Sequence, residues 1–223
     1  MRHGRTSRSG MTLLEVMLGL ALFTAFASSA FFALEASASS YRTETTVAHL
    51  AFLAGKAMDD VAEHLREADF DALLPAPGGV APPASASSID FQTANGFANG
   101  AATWGPVERL ALEPEPEDAT DGVDNDGDGL VDEGRLVWIE NPALGGGRRT
   151  VLCSHVAAML EGEIAGNGGD DNGNGLVDEP GFCVEFVGDR ATVHITLERL
   201  DPERRRIQQS SSRTVTPRNT TEE

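Results

Sequence analysis

Apolar and polar positions divide the chain into three stretches with different periods. From Met11 to Leu34 (MTLLEVMLGLALFTAFASSAFFAL) apolar residues are nearly continuous, and Val16–Leu34 is nineteen residues without a charge. As a helix that run is roughly 28 Å long, close to the ~30 Å hydrocarbon core of a bilayer. Beyond Leu34 the pattern turns amphipathic. Val47, Leu50, Ala51, Ala54, Met58, Val61, Ala62 and Leu65 recur at three- and four-residue steps, while Glu44, Asp59, Asp60, Glu63 and Arg66 lie largely off that stripe. No proline precedes Pro75. The pattern predicts one helix from about Thr12 to about Ala68, roughly 85 Å long, whose second half lays an apolar face on a globular head. Gly19 and Gly55 are its weak points.

Pro75-Ala76-Pro77-Gly78-Gly79 ends the helix, and the Pro/Gly/Ala/Ser stretch continues to Ser88. Short strand-like runs follow at Ile89–Gln92, Val107–Glu113, Leu136–Glu140, Thr150–Leu160, Phe182–Val187, Thr192–Glu198 and Ile207–Thr216, separated by turn residues. Thr192–Leu197 (TVHITL) alternates faces, as a half-buried strand does. The expected class is α+β: a long N-terminal helix over residues 11–74, packed on an antiparallel β-rich head over residues 75–223.

Charge sharpens this picture. Seventeen Lys+Arg stand against thirty-five Asp+Glu, a net charge of −18, and Lys56 is the only lysine. A chain this acidic repels nucleic acid, so no nucleic-acid partner is expected. The 24 Gly, 11 Pro and 2 Cys also exclude collagen-like and disulfide-dense classes. The few basic residues are unevenly placed. Arg2, Arg5 and Arg8 precede the apolar run and Glu35 follows it, which orients the segment with its N-terminus cytoplasmic and the rest exported.

Glu15 interrupts the apolar run. A carboxylate there costs about 2–3 kcal/mol on insertion scales, less near the interface, and a buried acid needs a partner. If the chain were cut between Gly10 and Met11, the new α-amino group of a neighbouring copy, shifted by about one turn, would supply it. The string Ser9-Gly10-Met11-Thr12-Leu13-Leu14-Glu15 resembles the processing site of type IV pilins and type II secretion pseudopilins, departing at Met11, where Phe is usual. The resemblance implies a leader over residues 1–10, cleavage after Gly10 by a prepilin peptidase and N-methylation of Met11. It implies that Glu15 neutralises a neighbour's terminus during assembly with other pilin or pseudopilin subunits. The location implied is a single pass of the inner membrane with a periplasmic head, then a pilus or pseudopilus. The strand order is similar to J-type minor pseudopilins and W-type minor pilins, and Ser212–Asn219 looks like the last strand of many minor pilins. A minor subunit, at the initiating tip, is therefore expected. The alternative is a calcium-stabilised exported surface or binding protein with a conventional signal peptide or anchor; Ala36-Ser37-Ala38 offers a small-x-small cleavage site.

Two acidic segments repeat. Asp121–Glu133 (DGVDNDGDGLVDE) and Asn167–Glu179 (NGGDDNGNGLVDE) align without a gap at an offset of 46 residues. Asp124, Asp126 and Asp128, then Gly129, match Asp170, Asn172, Asn174 and Gly175. Side-chain oxygens at positions one, three and five with glycine at six are how EF-hand-type loops wrap Ca2+. Leu130 or Leu176 would add a backbone carbonyl at position seven, and Asp132 or Asp178 the ninth position. Asp121, Glu133 and Glu179 are further candidate ligands. No twelfth-position Glu is present, and the pattern resembles the short Asp-rich loops of thrombospondin type 3 repeats. Ten carboxylates and no Lys or Arg lie between Glu113 and Glu133, so this stretch either stays solvated or binds cations. One or two Ca2+ ions are expected, in a structural role; oxygen-only ligands disfavour zinc.

Cys153 and Cys183 flank the second acidic segment. In an exported chain a disulfide between them is expected, holding that loop's ends together; the alternative is two buried free thiols. His3, His49, His64, His155 and His194 form no catalytic pattern, and no HExxH, GxSxG, P-loop or GxGxxG string occurs. Cys153-Ser154-His155 is no dyad, since strand neighbours face opposite ways. No enzymatic activity is expected.

Overall fold

The computed structural model describes residues 11–82, 84–98, 101–144 and 147–217; the Gly10 side of the expected cleavage point lies outside them. Helix α1 spans Leu13–Glu67. Seven strands follow: β1 (Ser88–Ala98), β2 (Ala101–Pro114), β3 (Gly134–Glu140), β4 (Arg149–Val156), β5 (Phe182–Val187), β6 (Arg190–Leu200) and β7 (Arg206–Val215). The fold is α+β, as the periodicity indicates, with α1 packed on a seven-stranded antiparallel sheet.

The chain divides into two compact units, one ending at Glu44 and one running Thr45–Glu223. In the first, residues 11–38 are all exposed, although most are apolar. Among the described residues α1 is the one helix long and apolar enough to cross a membrane. In the second unit the last turns of α1 are part of the core. Leu50, Ala54, Ala57, Met58, Val61, Ala62 and Leu65 are buried. Ala57 sits two turns after Leu50 and so shares its stripe, while Ala51 stays exposed.

The sheet runs β1-β2-β3-β4-β6-β5, with β7 along the other edge of β6. Phe91, Leu110, Leu136, Phe182, Phe186, Val193, Ile195 and Leu197 form the face that covers the helix stripe. Strand β6 alternates as its sequence indicates: Val193, Ile195 and Leu197 join this core, while Thr192, His194 and Thr196 point the other way and meet β7 through Thr214 and Ser210.

Differences from the expected strands have local causes. Strands β1 and β2 extend well past the expected runs, because an Ala/Asn/Gly-rich ladder pairs Gly96, Phe97 and Ala98 with Thr103, Ala102 and Ala101. Propensity alone does not mark such a stretch. Strand β4 stops at Val156 rather than Leu160. It meets β6 only at Val156–Leu197, end to end with β5 on the same edge. There Ala157 donates its N–H to the Thr196 carbonyl and Gly181 to the Ala158 carbonyl, so the chain leaves the sheet and returns at one point.

The expected disulfide is not formed: Cys153 and Cys183 are free and buried. Cys153 lies in β4 within the main core, opposite Leu136 of β3. Cys183 is the odd residue of β5. Its neighbours Phe182 and Val184 face the main core, whereas Cys183 packs with Leu160 and Leu176 in a separate cluster. Strands that meet β6 end to end, with the two thiols in different clusters, do not bring two sulfurs together.

Candidate functional site

The two acidic segments lie between β2 and β3 and between β4 and β5. Each closes at its neck through a glutamate carbonyl: Glu115 N–H donates to Glu133 O (3.2 Å), and Leu160 N–H donates to Glu179 O (3.1 Å). Above the neck the backbones are near-copies. Asp124 accepts the N–H groups of Gly127 (2.6 Å) and Gly129 (3.0 Å). Asp170 accepts those of Gly173 (2.7 Å) and Gly175 (2.9 Å). The next two side-chain oxygens each accept an N–H two residues ahead, Asp126 from Asp128 and Asp128 from Leu130, matched by Asn172 from Asn174 and Asn174 from Leu176. These are Asx-turns, for which Asp and Asn serve equally. The matching glycines all take positive φ: 79° and 75° at Gly127 and Gly173, 98° and 93° at Gly129 and Gly175.

This arrangement brings some of the expected ligands together and employs others elsewhere. One carboxylate oxygen from each of Asp124, Asp126 and Asp128 lies within 4.8 Å of the others. Asp132 instead accepts the N–H groups of Asp121 and Gly122, and Asp178 those of Asn167 and Gly168. Asp121 accepts the N–H of Val123 and the amide of Asn125. These residues clasp the start of each loop to its end. Leu130 and Leu176 turn their side chains inward and are buried.

Glu133 and Glu179 are buried at the foot of the loops, only 1% and 0% exposed. Glu133 Oε2 has no hydrogen-bond partner, and the charged groups beside this carboxyl are Asp128 and Asp118. Burial, reinforced by those two acids, pushes it up to about 7. Glu179 Oε1 accepts the Asn174 amide (2.6 Å), while its Oε2 has no partner. Burial, with Glu163 nearby, also raises the Glu179 carboxyl.

Sequence reasoning missed two residues here. Asp118 accepts the N–H groups of Asn125 (3.0 Å) and Glu133 (3.1 Å), and the Asn125 bond above all holds its carboxyl below the usual range. Glu163 accepts those of Asp171 and Asn172 (3.0 Å each). Asn125 and Asp171 are equivalent at the 46-residue offset, so Asp118 and Glu163 do the same work. Their positions differ by 45 rather than 46, which takes them out of the ungapped repeat.

At the other end of the chain, Met11 and Glu15 are exposed. Thr12 Oγ1 accepts the Glu15 N–H (3.3 Å), one half of a capping box. The Thr-x-x-Glu spacing was legible in Thr12–Glu15 and gives the acid a local role at the helix start. Compared with known proteins, the chain matches no family model, no curated protein and no solved structure. The likeness to pilins therefore rests on the residues that carry it.

Proposed function

We propose that this chain is a minor subunit of a type IV pilus or a type II secretion pseudopilus, a structural component rather than an enzyme. The observation that carries the reading is the apolar, wholly exposed N-terminal part of α1 with the lone acid Glu15 in its first turn. Exposed apolar surface on that scale needs lipid or other helices. A carboxylate in such surroundings needs a cation, and the α-amino group freed by cleavage after Gly10 is one. In this reading prepilin peptidase cuts after Gly10 and Met11 is methylated. The helix spans the inner membrane once, with the sheet on the periplasmic side. It then assembles against the helices of other pilin or pseudopilin subunits; the large head supports a minor role, and the initiating tip is the position proposed for it.

N-terminal sequencing and intact mass of the membrane-extracted protein test it. The expected chain begins at a methylated Met11; a chain beginning after Ala38, or an uncut one, overturns it. Glu15→Gln separates charge from capping. A glutamine still caps the helix but cannot neutralise an ammonium, so assembly should fail in E15Q as well as in E15A. An E15Q or E15A chain that is still processed and fully functional supports the second reading, an anchored or secreted binding protein in which Glu15 has no part in assembly.

A further inference from the structure

We propose that each acidic loop holds one calcium ion, and that a glutamate buried at the loop's foot, Glu133 in the first and Glu179 in the second, completes its ligand set. The inference stands whether or not the chain enters a filament. Asp124, Asp126 and Asp128 already converge, and each carboxylate has lone pairs beyond those its Asx-turn uses. Convergence of exposed acids is not itself a site. The independent observation is the buried pair. Glu133 Oε2 and Glu179 Oε2 are orphaned atoms on side chains closed off from water, and each carboxylate abuts its loop: Glu133 beside Asp128, Glu179 on Asn174.

Glu198 also has an orphaned oxygen, Oε1, but its other oxygen meets a guanidinium, and Asp201 and Glu108 have donors of their own. Asp201 takes the Arg205 guanidinium, Glu198 takes Arg206 and Gln208, and Glu108 takes Trp138 and Thr93. Glu133 instead faces two further carboxylates. A buried carboxylate with no donor on one oxygen and like charges beside it is neutralised by a proton or by a cation, and the three carboxylates that converge at the first loop favour the cation. Oxygen donors alone, several of them carboxylates on one loop, favour calcium over zinc. Asp118 and Glu163 are positioning residues, since they hold Asn125 and Asp171 where each loop turns into the site. Because Glu133 immediately precedes β3 and Glu179 lies just before β5, each ion would tie its loop to the sheet.

The full-length protein in detergent, stripped with chelator, is dialysed against about 10⁻³ M calcium, the range of extracellular calcium modules. The expected result is two ions per chain. Glu133→Gln and Asp126→Ala each remove one ion or weaken it by roughly tenfold or more, and Glu179→Gln and Asn172→Ala do the same to the other. Asp126 and Asn172 are exposed, so their alanine variants keep the test open if a buried variant misfolds. Fewer than two ions on the unaltered chain, or two ions at undiminished affinity in all four variants, overturns the proposal.

Discussion

The loops at 121–133 and 167–179 make the same turns with different charges. Where the first has Asp126 and Asp128, the second has Asn172 and Asn174, yet every Asx-turn of one recurs in the other. Backbone shape therefore depends on glycine placement and on a side-chain oxygen at alternate positions, which amides satisfy as well as carboxylates. The buried glutamate feels the difference. Asn174 donates to Glu179, whereas Asp128 has no proton to offer Glu133 and repels it. Shape is shared; the electrostatic demand for a cation is greater in the first loop.

The largest effect should fall on what the loops share. Leu130 and Leu176 are the apolar anchors, 4% and 1% exposed. Truncating either to alanine should cost about 2–5 kcal/mol, read from urea midpoints of the full chain in detergent. Leu176→Ala should be the worse, because it empties a cluster whose other members are only Leu160 and Cys183. Loss in one loop alone would show that the likeness is confined to the backbone.

Next come the sixth-position glycines. Both have φ above 90°, so Gly129→Ala and Gly175→Ala should each cost roughly 1–3 kcal/mol of backbone strain. A Cβ at Gly175 meets nothing within 4 Å, while one at Gly129 comes within 2.7 Å of Leu200 Cδ1 and 3.0 Å of an Arg204 guanidinium nitrogen. Gly129→Ala should therefore be the more damaging of the two in the same titration. Equal losses would mean that Leu200 and Arg204 yield freely and that strain alone counts.

How much of this was legible in the chain depends on the range of the forces involved. Periodicity located α1 within a residue at each end and gave a core segment to every strand, because one buried face imposes its repeat on the sequence. Spacing located both loops, since Asx-turns and positive-φ glycines are local. Three features were not local. Asp118 and Glu163 sit outside the ungapped repeat and are equated only by the N–H groups they hold. The burial of Glu133 and Glu179 depends on where each neck meets the sheet. The separation of Cys153 from Cys183 follows from the unexpected meeting of β4 and β5 on one edge of β6, and two strands flanking a loop had suggested neighbours.

A smaller effect isolates charge. Above neutral pH and in chelator, Glu133→Gln should stabilise the protein by about 1–2 kcal/mol, because it removes an ionised carboxylate from beside Asp128 and Asp118. Glu179→Gln should gain less, below about 1 kcal/mol, since Glu179 already receives the Asn174 amide and a glutamine oxygen accepts it as well. In saturating calcium both signs should reverse. Equal gains in chelator would remove the electrostatic distinction between the loops and leave only their sequence difference.

The smallest effect expected is none. A disulfide would have fastened the ends of the second loop covalently and left the first to hydrogen bonds, making the loops unlike in mechanics as well as charge. Free thiols leave both necks closed by one main-chain bond to a glutamate carbonyl. Reductant should then change neither the intact mass nor the melting temperature. Burial pushes both thiols up to about 12, so neither is a thiolate near neutral pH and alkylation should require unfolding. A mass gain of two protons on reduction, with a fall in melting temperature, would show the second loop to be stapled. Its lower negative charge would then be a consequence of that staple, since a loop held by covalent chemistry has less need of an ion.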